Sequence, residues 1–282
     1  MKETNKTMSE TIPITKPSTQ KSSFSQPDAV ERKKFPSEFI DLPSEGHFYP
    51  EGSPLATGRI ELKYMTAKEE DILTSQNLIK KGVVLDELLK ALIVTPGVVL
   101  DDLLIGDKNA IFIASRRLAY GDKYPAKMSC PKCEKENAAD IDLNQLAAKP
   151  FDFSSYRKGE NSFTYVMPYS KKTITYKLPT HKDEQNIDAE LKGLAKVSKG
   201  VSSPEMTTRL KYMILSVDGE DSRGVVKEFV DTMPARDSVA FRKHMRDNTP
   251  DIDMNFNFKC AHCEHEERMG LPMGADFFWP SS

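Results

Sequence analysis

The sequence has no apolar run approaching the roughly 20 residues that cross a bilayer, so no membrane span is expected. It has no excess of charge either. Lys and Arg number 40 against 42 Asp and Glu, a net of −2, which disfavours a general nucleic-acid binder while leaving room for a local basic patch. The glycine-rich phosphate motifs of nucleotide-binding proteins are missing. So is an apolar signal region, since Lys2, Glu3, Thr4 and Asn5 follow Met1. A reducing cytoplasm is therefore the expected compartment, and disulfides are disfavoured. Residues 1–34 are rich in Ser, Thr, Lys, Pro and Gln and poor in large apolar side chains. They are expected to form a disordered tail, a solvated extension rather than an arm that orders on a partner.

Cysteine is scarce, four residues in 282, yet all four fall in two pairs, Cys130-Pro131-Lys132-Cys133 and Cys260-Ala261-His262-Cys263. A Cys-x-x-Cys turn aims two thiolates at one ion, and two such turns supply the ligands of a closed tetrahedral zinc site. The expectation is one structural Zn2+ on Cys130, Cys133, Cys260 and Cys263. The second pair starts 130 positions after the first, so the metal would join distant strands. Closing a loop of that length costs about 4–5 kcal/mol in chain entropy, against roughly 10–16 kcal/mol apparent for structural zinc in small peptides. His262 or His265 could replace a cysteine, although solvent-facing histidines fit the turn better. Catalytic zinc would need an open coordination position, and four thiolates leave none.

Two enzyme-like fragments fail on inspection. His262-Cys263-Glu264 matches the H-x-E element of zinc deaminases, but the companion P-C-x-x-C should lie downstream. The other pair here lies upstream, with its proline inside the pair. His265-Glu266-Glu267-Arg268-Met269 lacks the second histidine of H-E-x-x-H.

Along the chain, residues 40–52 form an extended strip punctuated by Pro43, Gly46, Pro50 and Gly52, with Phe48 and Tyr49 expected to be buried. Residues 59–65 alternate as a strand. Thr66-Ala67-Lys68-Glu69 is a capping box that opens a helix through Lys81, ended by Gly82, with Ile72, Leu73, Leu78 and Ile79 as its apolar stripe. Further helices are expected over 85–94 and 107–120, the latter burying Ile111, Phe112, Ala114, Leu118 and Ala119 and capped by Gly121. Asp86, Glu87, Asp101 and Asp102 suit helix N-termini better than catalysis.

Alternation predicts strands over 139–143 and 251–259, flanking the two cysteine pairs, and a more ambiguous strand over 124–129. Between the pairs, 162–167 and 173–178 read as a hairpin. Helices follow over 180–199, from Ser203-Pro204-Glu205 through Val217, and over 223–233 and 235–246. Arg236, Arg242, Lys243 and Arg246 could meet an acidic partner, but acidic neighbours dilute them and a solvated face is expected. The ending Asp276-Phe277-Phe278-Trp279-Pro280 is apolar enough to be tied down. The fold class is α+β: a disordered tail at 1–34, an extended strip and helical unit at 35–122, and a zinc-ribbon-like β unit with an inserted hairpin and helices at 123–282.

These residues resemble the T4-type phage baseplate hub subunit and baseplate hub assembly protein family. The resemblance rests on Leu42-Pro43-Ser44-x-Gly46-x-Phe48-Tyr49 and on Met65-Thr66-Ala67-x-Glu69-Glu70-x-Ile72-Leu73-Thr74-Ser75. It also rests on Gly106-Asp107, Ala119-Tyr120-Gly121-Asp122, Ser216-Val217-Asp218-Gly219 and Phe277-Phe278-Trp279-Pro280. It covers residues 35–282 and leaves the tail outside. It implies a non-enzymatic component or assembly factor of the hub of a contractile-tailed virus. The implied partners are other baseplate hub or tail-assembly proteins, met in the host cytoplasm during assembly and in the virion tail baseplate; a homo-oligomer is compatible with this. A zinc-ribbon adaptor for nucleic acid is the competing class, opposed by Glu264, Glu266 and Glu267 beside the second pair, which repel phosphate. A zinc-dependent hydrolase would need a nucleophile and base that no motif supplies.

The composition of residues 1–34 generates a first prediction. Deleting them should move the thermal midpoint by less than about 2 °C, under about 1 kcal/mol for a body of this size. A larger loss on differential scanning calorimetry would mean that the tail packs on the body.

Overall fold

In the computed structural model, residues 36–197, 204–273 and 277–278 are described. The tail, the start of a helix at Ser203, the helix end at Lys199 and the ending at Trp279 and Pro280 fall outside them.

The strip and its flanking strands come first. Strand β1 (Ser37–Asp41) pairs antiparallel with β2 (Arg59–Lys63), Ile40 opposite Ile60. Between them the chain crosses itself. A Cβ on Gly46 would lie 2.6 Å from the Ala56 backbone, and one on Gly58 would lie 2.7 Å from that of Glu45. Both glycines also hold positive φ, 74° and 72°, so the loop needs glycine for conformation and for clearance. Phe48 and Tyr49 are buried as expected.

Helix α1 (Ala67–Thr74) starts on the predicted capping box, Thr66 with Glu69. The expected single helix to Lys81 is broken, however. Ser75 takes extended backbone, with ψ at 105°, and α2 (Gln76–Lys81) restarts beyond it. The break separates the stripe: Leu73 is buried, while Ile79 is 40% exposed. Helix α3 (Val84–Leu92) stops short of Val94, because Ile93 bridges Leu62 and the Val94 amide donates to the Glu61 carbonyl. The edge of β2 thus takes backbone groups that a longer helix would have kept.

Helix α4 (Ile105–Tyr120) opens two residues before the expected start. A Cβ on Gly106 would fall 1.9 Å from the Pro250 carbonyl oxygen, so the helix start lies directly on a chain segment far downstream. Asp107, fully buried, accepts from the Ser44 amide at 2.9 Å, the Ser44 hydroxyl at 2.6 Å and the Tyr49 hydroxyl at 2.5 Å. The Tyr49 oxygen in turn accepts from the Leu104 amide at 3.0 Å. Burial pushes the Asp107 carboxyl up, against the opposing pull of the Ser44 and Tyr49 hydrogen bonds.

Strands β3 (Lys123–Ser129) and β4 (Glu136–Asp142) form one hairpin. Strands β5 (Phe163–Val166) and β6 (Thr173–Tyr176) form the predicted second one. Helices α5 (His181–Val197) and α6 (Glu205–Met213) follow. The helix expected through Val217 ends at Met213, because Ile214–Val217 is a strand, β7, paired antiparallel with β6, Ile174 opposite Val217. Apolar residues at 210, 213, 214 and 217 suit a helical face, but Ile214 and Val217 fit the β6 edge, and tertiary pairing overrides the period. Helices α7 (Arg223–Thr232) and α8 (Ala235–Asp247) precede β8 (Asn255–Lys259) and β9 (Glu266–Gly270), the last hairpin. The alternation read from residue 251 becomes strand only at Asn255, because Ile252 bridges Ala148 instead.

The result is α+β with small sheets. One apolar cluster draws on residues from Leu42 to Phe278. Phe48 sits among Phe151, Tyr156 and Phe163, with ring centroids 5.9, 5.7 and 5.2 Å away. Phe277 packs on Tyr124 at 5.1 Å and Phe278 on Phe112 at 5.5 Å, so this part of the apolar ending is tied down as expected.

Asp107 generates the second prediction. Asp107→Ala should destabilise the body by about 3 kcal/mol, because the Ser44 and Tyr49 donors would stay buried without an acceptor. Urea unfolding followed by near-ultraviolet circular dichroism measures this. A change within about 0.5 kcal/mol would show that the node contributes little.

Candidate metal centre

The two cysteine turns sit at the tips of two hairpins, joining Ser129 to Glu136 and Lys259 to Glu266. They are the same turn built twice. The Cys130 amide donates to the Lys135 carbonyl and the Cys260 amide to the His265 carbonyl, both at 2.9 Å. Glu134 and Glu264 return their amides to the Cys130 and Cys260 carbonyls at 2.8 and 3.1 Å. Both glutamates hold left-handed backbone, φ 57° and 54°, a conformation that costs a residue with a side chain about 1–2 kcal/mol. Within each turn an amide also points at sulfur: Lys132 N to Cys130 Sγ at 3.4 Å, and His262 N to Cys260 Sγ at 3.3 Å.

Backbone pairing brings the tips together. Where the chain leaves β4 and where it enters β8, it zips to itself: Lys149 N donates to Asp251 O and Asp253 N to Ala147 O, both at 2.8 Å, around the Ala148–Ile252 bridge. At the tips Asn137, buried to 4% exposure, ties the hairpins directly. Its Oδ1 accepts from the Ala261 amide at 2.9 Å, while its Nδ2 donates to the Lys135 carbonyl at 2.8 Å. His262 Nε2 lies 3.2 Å from the Glu136 carbonyl. Phe258 packs with Cys130 and Cys260 in a small apolar cluster of its own, flanked by Met128, Phe256 and Met269.

All four cysteine sulfurs consequently lie within 4.8 Å of one another. Cys130 and Cys263 are 3.7 Å apart, as are Cys133 and Cys260. None is in a disulfide; the first cysteine of each pair is buried and the second half-buried. Burial pushes the Cys260 thiol up, but the amides of His262 and Cys263 and the Cys263 and Cys130 side chains outweigh it and bring it down to about 6. At Cys263 the His265 amide pulls down, while burial and the other three thiols push harder, up to about 12. Cys260 and Cys263 are thus driven apart, one toward thiolate and the other toward thiol, because a second negative charge beside the first is repelled. A cation at the centre reverses that repulsion.

The histidines weighed as substitute ligands turn elsewhere, His262 to Glu136 and His265 to Glu267 Oε2 at 3.2 Å. Three of the four acids considered for catalysis have partners of their own. Asp86 Oδ1 meets His181 Nε2 at 3.3 Å, Glu87 meets Lys90 at 2.8 Å, and Asp101 meets Lys182 at 3.2 Å. Burial raises the Asp86 carboxyl, but bonds from His181 and Gln185 hold it below the usual range. Sequence reasoning missed Asn137 as the link between the tips. An isolated Asn four residues after a cysteine carries no pattern that could have flagged it.

The chain matches the family described as T4 bacteriophage base plate protein over residues 37–279. No curated protein and no solved structure matches it. The phrases that carried the resemblance now have physical content: Ser44 and Tyr49 hold Asp107, Gly46 permits the crossing of the strip, and Gly106 lets α4 touch Pro250. The matched span, 37–279, takes in both hairpins and the cysteine cluster, and the chain belongs to the T4 bacteriophage base plate protein family.

Proposed function

We propose that this chain is a structural or assembly component of a contractile-tailed phage baseplate hub. It acts by docking onto other hub or tail-assembly proteins and turns over no substrate. Family membership is the observation that carries the reading. Host cytoplasm during assembly and the tail baseplate of the virion are the places that follow from it.

Within that role the two hairpins form a zinc-ribbon-like unit closed by one structural Zn2+ on Cys130, Cys133, Cys260 and Cys263. The donor set fits. A Zn–S bond of about 2.3 Å puts the edges of an S4 tetrahedron near 3.8 Å, and the two close sulfur pairs are 3.7 Å apart. Four thiolates complete the shell, so the ion would serve as a clasp between hairpins distant in sequence and would leave no position for substrate. Zinc would also remove the mutual repulsion of the thiolates.

Two predictions follow from this reading. Purified untagged protein should carry about one zinc per chain by elemental analysis, and each single Cys→Ser change at the four positions should lower metal content and thermal midpoint together. Metal-free protein that melts at the same temperature, or disulfides in the intact mass, would refute the clasp. The docking role is tested by co-expression with candidate hub subunits and the tail-length protein, together with complementation of a phage lacking the gene. Failure to capture any hub complex, with normal baseplates from the deleted phage, would overturn it.

A further inference from the structure

The outer face of α8 is a cationic strip whose neighbouring acids are already engaged. Arg236, Arg242, Lys243 and Arg246 are exposed along it, while Asp237, Ser238, Phe241 and Met245 face inward. The dilution by acidic neighbours expected from the sequence is confined to Arg246. Asp237 is fully buried and accepts from the Tyr169 and Ser170 amides at 2.8 and 2.9 Å. Asp231 pairs with Lys211 at 2.6 Å. Asp247 remains, 3.4 Å from Arg246. Among the described residues no ion pair reaches Arg236, Arg242 or Lys243.

The strip is also apolar at one end. Arg236 lies over the Tyr169 ring, 5.7 Å from its centroid, and Tyr169 is 60% exposed. Val239, one turn along α8, is 57% exposed. Met206, 47% exposed, reaches the neighbouring Ser238 hydroxyl with its sulfur at 3.6 Å. Large exposed side chains set beside guanidinium groups that face no acid, Arg242 donating its Nε to the Ser238 carbonyl at 3.3 Å, are the ingredients of an interface anchor, where aromatic and Arg contacts dominate binding.

We infer that the α8 face, with Tyr169 and Met206 at its edge, docks an acidic segment of another protein that presents apolar side chains to Tyr169, Met206 and Val239. This rests on the reading of the chain as a docking component and names the chemistry of one surface. Charge complementarity selects the occupant. Arg236, Arg242 and Lys243 are positive charges without acids on a chain of net −2, and carboxylates spaced along a helix or strand would meet them one for one.

The test uses the full chain and a synthetic amphipathic peptide with Glu and Leu at helical spacing, titrated by fluorescence anisotropy at low and physiological salt. The triple variant Arg236→Glu, Arg242→Glu, Lys243→Glu should bind it at least about tenfold more weakly, and Val239→Glu, a single exposed change, should also weaken it. Both variants should melt as the parent does. Unchanged binding by both variants overturns the inference. So does equal affinity for a Glu peptide without Leu or for duplex DNA of matched charge, which would mean non-specific attraction. Self-association of the parent, lost in the triple variant by sedimentation, would make a second copy the occupant and overturn it as well. Capture of a hub subunit equally by the parent and the triple variant sinks this surface alone, whereas capture of none by the parent, with normal baseplates from the deleted phage, sinks the docking role.

Discussion

The contact on which the arrangement depends is the approach of α4 to the segment at Pro250. With no side chain at Gly106, the first turn of the helix rests on the Pro250 carbonyl, and Asn109 Nδ2 reaches Asp251 Oδ1 at 3.1 Å just beyond. The end of α4 leads through Gly121 into β3, and the segment it touches leads into β8. One helix thus relates the starting points of two hairpins that the chain keeps far apart. Asp107, next to Gly106, adds the Leu42-to-Tyr49 strip to the same turn. A buried carboxylate without a cationic partner is costly, and here three donors and a helix N-terminus offset part of that cost, burial still holding the carboxyl above its usual range.

This construction lowers what a metal, on the proposed reading, would have to contribute. The zipped segments 147–149 and 251–253 and the Asn137 bridge already hold the tips side by side. Most of the loop-closure entropy between the cysteine pairs is therefore met by protein contacts, and on the proposed reading a metal would bind sulfurs that the fold sets near tetrahedral spacing. Glu134 and Glu264 hold left-handed φ at the same place in the two turns, one residue past the second cysteine of each pair, where each returns its amide to the carbonyl of the first.

Much of this was legible in the sequence because it depends on local chemistry. The capping box at Thr66, the hairpin over β5 and β6, and the helices α7 and α8 are set by spacing and turn residues within a few positions. The proximity of the cysteine pairs was legible from ligand chemistry alone. What escaped depends on neighbours distant in the chain. Ile214–Val217 is a strand because β6 offers it an edge, and Ile93 leaves the helix because Leu62 does. Acidic neighbours suggest dilution of the basic face of α8, yet the Asp237 carboxylate is spent on the Tyr169 turn, 68 positions away. No periodicity carries such information.

The two hairpins do not depend equally on what joins them. Strand β3 buries Tyr124 and Ala126, and β4 buries Ile141, all in the main apolar cluster. Of β8 and β9, Phe258 alone is fully buried, and it packs against the cysteines rather than the main cluster. A two-stranded hairpin without a core is marginal in water. The β8–β9 hairpin therefore owes its position to its stem near Met254, where the Leu271 amide donates to the Met254 carbonyl at 2.7 Å, to half-buried Phe256 packed against the main cluster, and to its tip at the cysteine cluster. On the proposed reading, zinc contributes chiefly by holding that tip, since β3 and β4 are kept in place by the core.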